Sequence, residues 1–125
     1  MTGETILVVE DDGLIALYLT ELMEKKGYRV GAAFSGEMVL QSLKESPAPD
    51  LILMDIGLAG SLDGIETFRQ IRKQFSIPVI FITAYTSASI LERIREVGPD
   101  GFIVKPFLDK DLLDLVRKIM DKRAA

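Results

Sequence analysis

Six residues with chemical capacity stand directly after short apolar runs. Thr5-Ile6-Leu7-Val8-Val9 leads into Glu10-Asp11-Asp12, and Leu51-Ile52-Leu53-Met54 leads into Asp55. Pro78-Val79-Ile80-Phe81-Ile82 leads into Thr83, and Phe102-Ile103-Val104 into Lys105. The chain has no cysteine and no histidine, so disulfides, zinc sites of the Cys/His type, thiol nucleophiles and histidine bases are excluded. Any metal these residues bind has to be a hard, oxygen-liganded ion, and Mg²⁺, which keeps several of its waters, suits them best. A carboxylate beside such a cation can attack a phosphoryl group. The cation and the lysine would then offset charge on the equatorial oxygens in the transition state, and a hydroxyl such as that of Thr83 could hydrogen-bond the transferred group.

This chemistry needs the four segments to meet. Apolar runs at 5–9, 29–33, 51–54, 78–82 and 102–104 alternate with five helical patterns. The alternation predicts a parallel sheet with right-handed crossovers and helices on both faces. Continuous apolar runs suit strands buried on both sides, and in open sheets of this kind ligands bind at the carboxyl ends of the strands. All the reactive residues then share one edge. Two carboxylates ~4 Å apart repel by ~4 kcal/mol at an effective dielectric of ~20, a penalty relieved by a divalent cation or by raised carboxylate pKa values.

The helices have legible starts, stops and inner faces. Asp12 reads as an N-cap, with Ile15, Leu19, Leu22 and Met23 as the stripe that follows. Lys25-Lys26-Gly27 ends that helix. Ser35 caps a second helix with Val39, Leu40 and Leu43 inward. Pro47-Ala48-Pro49-Asp50 breaks the chain before the central strand. A loop with two glycines follows Asp55, and Asp63 caps a third helix with Ile65, Phe68, Ile71 and Phe75 on one face. A fourth helix at 89–97 buries Ile90, Ile94 and Val97, and Gly98-Pro99-Asp100-Gly101 turns into the last strand. The fifth helix begins near Asp109, with Leu112, Leu115, Val116 and Ile119 as its stripe. Asp109 and Asp111 at its start and Arg117, Lys118 and Lys122 towards its end complement its dipole.

At 125 residues, 48% hydrophobic and 27% charged, the chain reads as one globular domain, 1–125, able to bury an ordinary core. Its net charge of −4 argues against direct contact with nucleic acid. The N-terminus lacks a signal-peptide pattern and no apolar run approaches the ~20 residues of a membrane span. A soluble, cytoplasmic protein is expected, without a membrane partner.

Taken together, Val8-Val9-Glu10-Asp11-Asp12, Leu53-Met54-Asp55, Asp63-Gly64, Ile82-Thr83-Ala84 and Val104-Lys105-Pro106-Phe107 resemble the receiver domain of bacterial-type two-component response regulators. The resemblance covers essentially the whole chain, and the order and spacing of the motifs are more specific than any one of them. It implies a doubly wound, flavodoxin-like α/β fold with five helices and strand order 2-1-3-4-5, an order of which the chemotaxis receiver is a standard example. It implies that Asp55 accepts a phosphoryl group from a histidine kinase or histidine phosphotransferase in a phosphorelay. Mg²⁺ would be held by Asp11, Asp55 and the backbone carbonyl of Gly57, with Glu10 acting through water. Lys105, Thr83 and the Ala84 backbone would contact the phosphoryl group. Thr83 and Phe102 would form the switch pair that reshapes the face of helix four, strand five and helix five for a downstream effector or fused output domain. The Lys105–Pro106 bond is expected to be cis, which proline alone makes cheap.

The chain departs from the family pattern in four places. Gly57 puts no side chain two positions after the acceptor. The loop from Asp55 to Asp63 is one residue longer than is common, with Ala59 where proline is frequent. Phe102 replaces a common tyrosine, and Gly98-Pro99 the usual Gly-Ala. By residue type alone Phe102 reads as core, and Tyr85 as a residue flanking the pocket. Among rival readings, an aspartyl phosphatase usually has a second aspartate where Gly57 stands, so no turnover of an external substrate is expected. A flavodoxin-like cofactor site needs an anion-binding loop where Glu10-Asp11-Asp12 would repel phosphate. A degenerate receiver serving only as an interaction module is the remaining alternative, and every chemical position is filled.

Overall fold

The computed structural model describes residues 3–58, 60–84 and 86–124. Ala59 and Tyr85 lie outside the described residues, so the readings attached to them stay with the sequence. The elements, in chain order, are β1 (Thr5–Val9), α1 (Gly13–Glu24), β2 (Arg29–Ala33), α2 (Gly36–Glu45), β3 (Leu51–Asp55), α3 (Gly64–Arg72), β4 (Val79–Thr83), α4 (Ala88–Val97), β5 (Gly101–Val104) and α5 (Asp109–Ala124). The strands form one sheet in the order β2-β1-β3-β4-β5, and every pairing is parallel. Both the fold class and the strand order match the expectation.

Alternation along each strand divides the core in two. Leu7, Val9, Ile52, Met54, Val79 and Phe81 face α2, α3 and α4. Ile6, Val8, Leu51, Leu53, Ile80 and Ile82 face α1 and α5. All five residues of β3 and of β4 are buried. Phe68 of α3 meets Phe81 of β4 edge to face, with ring centroids 5.4 Å apart, a favoured aromatic geometry. Asp12, Ser35 and Asp63 cap α1, α2 and α3 as expected, each side chain accepting from amides of the first turn. Among the described residues no helix is long and apolar enough to cross a membrane.

The structure corrects several sequence expectations. α3 stops at Arg72, so Phe75 is not on its face. The amides of Gln74 and Phe75 both donate to the Ile71 carbonyl, closing the helix in a turn, and Phe75 packs partly buried against the same core from beyond it. β4 starts at Val79 rather than Pro78, because Pro78 has no N–H and joins the ladder only by accepting from the Ile52 amide at 3.0 Å. β3 runs through Asp55 and β4 through Thr83, so the two polar residues are strand members, paired with Ile82 and Val104. α4 starts at Ala88 behind the Ser87 cap and buries Ile94 fully, whereas Ile90 and Val97 are only partly covered.

Phe102 is the largest departure. It is 44% exposed, not core. β5 is an edge strand, and Gly101 and Ile103 turn towards α5. Phe102 and Val104 therefore take the opposite face, which α4 leaves open.

One glycine sets how closely α3 approaches the strand that carries Asp55. A Cβ on Gly64 would lie 2.3 Å from the Asp55 carbonyl oxygen and 2.8 Å from the Ile56 Cα. Both obstacles are backbone, so neither can swing aside. Gly64→Ala should lower stability by roughly 3 kcal/mol, at the upper end of overpacking penalties. Gly31→Ala, where a Cβ meets only the Leu7 side chain at 3.7 Å, should be neutral or slightly stabilising. Urea unfolding of the two variants checks the contrast.

Candidate phosphoryl and metal site

The carboxyl edge of the sheet gathers the residues that the sequence singles out. β1 delivers Glu10 and Asp11, β3 delivers Asp55, β4 delivers Thr83, and the turn after β5 delivers Lys105. Carboxylate oxygens of Glu10, Asp11 and Asp55 all lie within 4.8 Å of one another, a donor set suited to a metal ion. Lys105 Nζ stands 3.3 Å from Glu10 Oε1 and 4.0 Å from Asp55 Oδ1. The Lys105–Pro106 bond is cis, and the Lys105 amide donates to the Thr83 carbonyl at 2.8 Å.

Each member is held by local structure. Glu10 is 2% exposed. Its amide donates to the Ala33 carbonyl of β2, its Oε2 accepts from the Asp12 amide at 3.1 Å, and its Oε1 accepts from Lys105. Asp55 is 9% exposed, and its Oδ1 accepts from the Gly57 amide at 3.2 Å, which sets the Gly57 peptide beside the carboxylate. Asp11 is exposed at the mouth, Thr83 is fully buried, and Ala84 follows it as an exposed residue. Asp12 turns away to cap α1 through the amides of Leu14 and Ile15. Phe102 is not in the cluster, because its register partner is Phe81, two positions below Thr83 on β4.

Electrostatics give the cluster its character. At 4.8 Å, two carboxylates repel by roughly 3 kcal/mol at an effective dielectric of ~20. Burial pushes the Glu10 carboxyl up to about 7; the Asp12 amide opposes the shift, the Asp55 charge adds to it, and Lys105 opposes it. The arrangement can take a hard cation among oxygen donors, expose one carboxylate oxygen to an incoming group, and hold an ammonium beside it.

Two features escaped the sequence reading. The pairing of Lys105 with Glu10 spans 95 positions, so no local pattern announces it. The contact of Gly64 on the Asp55 backbone has a signal, a glycine at the first helical position after the Asp63 cap, but neither the cap nor the motif says which backbone the glycine meets.

A model of the response regulator receiver domain matches residues 6–117. The chain is 33% identical over 112 residues to the transcriptional regulatory protein PdtaR of Mycobacterium tuberculosis, covering 89% of this chain and 54% of that protein. It is 37% identical over 117 residues to the transcriptional regulatory protein CpxR of Escherichia coli, covering 92% and 48%. The chain thus spans about half the length of these curated relatives. Among solved structures, the receiver domain of a signal transduction histidine kinase from Syntrophus aciditrophicus superposes with a TM-score of 0.90 at 30% identity, covering 96% of this chain and 92% of that one. The N-terminal domain of a response regulator from Carboxydothermus hydrogenoformans gives 0.88 at 33%, covering 97% of each.

Metal-free protein carries the acidic cluster as a stability penalty. Asp55→Asn should therefore raise the metal-free unfolding free energy by roughly 1–2 kcal/mol, a fraction of the pairwise repulsion, and saturating Mg²⁺ should erase the difference. Glu10 adds a pH dependence. Its folded pKa of about 7 lies above its ordinary value of 4.5, so its contribution to stability is full below about 4.5 and is lost as pH rises through about 7. Melting temperature without metal should rise as pH falls from 7.5 to 5.5, while Mg²⁺ affinity falls over the same window; scanning calorimetry of the metal-free protein reads the first trend and Mg²⁺ titration calorimetry the second.

Proposed function

As the chain belongs to the response regulator receiver family of two-component signalling, we propose that Asp55 is its phosphoryl acceptor, charged by a phosphohistidine donor in the presence of Mg²⁺. The observation that carries this reading is the convergence of Glu10, Asp11 and Asp55 within 4.8 Å, with Lys105 Nζ 4.0 Å from the Asp55 carboxylate. In the transfer, an Asp55 carboxylate oxygen forms a bond to phosphorus as the phosphorus–nitrogen bond of the donor breaks. The electron pair leaves with the imidazole nitrogen, which takes its proton from water. Lys105 neutralises the phosphoryl oxygens as charge spreads over them. The Thr83 hydroxyl and the Ala84 amide then hydrogen-bond the bound group.

The donor set fits Mg²⁺, a hard ion that prefers carboxylate, carbonyl and water oxygens. Asp11, Asp55 and the Gly57 carbonyl would hold it directly. Glu10, whose two oxygens already accept from Asp12 and Lys105, would act through water. When bound, the ion supplies positive charge that offsets the crowded carboxylates and the phosphoryl oxygens.

On this reading the chain is a substrate of transfer and not an enzyme that turns over an external ester. Its donor is a histidine kinase or phosphotransferase of the cytoplasm. Leu14 and Leu108, 80% and 69% exposed, each stand two positions after the acidic and Lys-Pro segments and offer an apolar rim to such a protein. Phosphorylation draws Thr83 to the phosphoryl group and lets the outward Phe102 bury, which reshapes the face of α4, β5 and α5 for an effector or a fused output domain. The net charge of −4 leaves nucleic acid to that output.

Incubation with a small phosphodonor and Mg²⁺ should add one phosphoryl mass to the chain. Asp55→Asn or removal of the metal by a chelator should abolish the gain, and Lys105→Met should slow it by about tenfold or more. Intact-mass spectrometry over time reads each outcome. No mass gain in wild-type protein with metal present would defeat the reading.

A further inference from the structure

The second half of the loop that leaves Asp55 is fastened to two neighbouring helices. The Ser61 hydroxyl donates to Glu37 Oε2 of α2. Gly60, at φ +100°, brings its backbone against the same carboxylate, where a Cβ would stand 3.4 Å from Glu37 Oε1. Two residues after Ser61, at the base of α3, Asp63 divides its oxygens. Its Oδ1 accepts from the Glu66 amide at 2.8 Å and caps α3, and its Oδ2 accepts from Arg93 Nη2 of α4 at 2.8 Å.

The Asp63–Arg93 bond is, with Arg72–Asp100, among the more shielded ion pairs on the surface of the described residues. Its side chains are 34% and 37% exposed, whereas those of Lys110–Asp114 are 80% and 66% exposed. Partial shielding strengthens a charge-assisted bond that full solvation would weaken. Partial burial pushes the Asp63 carboxyl upward, but the Glu66 amide and the Arg93 guanidinium outweigh it and hold the group below its ordinary value. α4 is lightly packed: Ile94 is its one fully buried residue, and Ile90, Leu91 and Val97 are only partly covered. Next to Asp63, Gly64 lies against the Asp55 carbonyl, and its amide donates to the Ile56 carbonyl at 3.0 Å. An unbroken series of contacts therefore runs from the Asp55 backbone through Gly64 and Asp63 to Arg93.

We propose that Arg93 is a positioning residue for the reaction at Asp55: through Asp63 it fixes the base of the acceptor loop, and the same ion pair carries the state of the site into α4. This rests on the reading of Asp55 as phosphoryl acceptor. Arg93 touches neither the acid cluster nor Lys105; it acts by setting where the Asp63-Gly64 step presses on the strand end. Because α4 is lightly packed, a shift of that step moves α4 with it.

The test compares wild type, Arg93→Ala and Arg93→Lys as the full chain, with Mg²⁺ and a small phosphodonor. Phosphoryl uptake is followed by intact mass, and hydrogen exchange of residues 88–97 is measured before and after phosphorylation. Arg93→Ala should take up phosphoryl roughly three- to tenfold more slowly, as loss of a partly shielded ion pair would give. In that variant, phosphorylation should no longer change the exchange of α4. Arg93→Lys, which keeps the charge, should restore uptake to within about twofold and recover the α4 response. A general loss of packing would impair Ala and Lys variants alike, and that result overturns the proposal. So does wild-type uptake with an unchanged α4 response in Arg93→Ala, a result that leaves the acceptor reading standing. Failure of wild type itself to gain phosphoryl mass would remove both.

Discussion

Like-charge crowding at the carboxyl edge of the sheet is the constraint on which this structure turns. Glu10, Asp11 and Asp55 stand within 4.8 Å of one another, and Glu10 is almost wholly buried. Water reaches Asp11 at the mouth but barely reaches Glu10. The protein offsets part of the repulsion with its own groups: the Lys105 ammonium, the Asp12 amide and the Gly57 amide all point at carboxylate oxygens. The remainder is an unmet demand for positive charge, which suits the edge to a hard cation.

The rest of the fold keeps the crowded groups from moving apart. β3 and β4 are buried along their whole length, so Asp55 and Thr83 sit at the ends of strands that cannot slide without exposing apolar surface. Parallel order β2-β1-β3-β4-β5 brings β1 beside β3, and so places Glu10 and Asp11 next to Asp55 although more than forty positions separate them. α3 approaches the Asp55 peptide as closely as it does because Gly64 has no side chain. Only the periphery is loosely held. α4 contributes a single buried side chain, and the outer face of β5 is open. A rigid centre with a lightly attached edge puts the lowest local stability at α4 and the outer face of β5.

Strong likeness to receivers across nearly all of the chain, at sequence identities of about one third, is consistent with this division. The apolar runs and the residues at their ends are the parts on which the resemblance was read. The loop from Asp55 to Asp63 and the exposed faces are where this chain differs from the usual pattern. Those are also the regions whose contacts, such as Glu37 with Ser61 and Arg93 with Asp63, are between residues far apart in sequence.

The sequence by itself determined the types and order of the elements, the three N-caps at Asp12, Ser35 and Asp63, and the identity of the residues at the strand ends. Those properties come from local causes: apolar periodicity, capping oxygens, and proline or glycine at breaks. Tertiary structure alone decided that Phe102 faces outward, that Glu10 is buried and paired with Lys105, that Gly64 rests on the Asp55 backbone, and that Arg93 reaches Asp63. Each of these depends on which surface a second, distant element happens to cover. That is a matter of three-dimensional packing and electrostatic environment, which one-dimensional spacing does not carry.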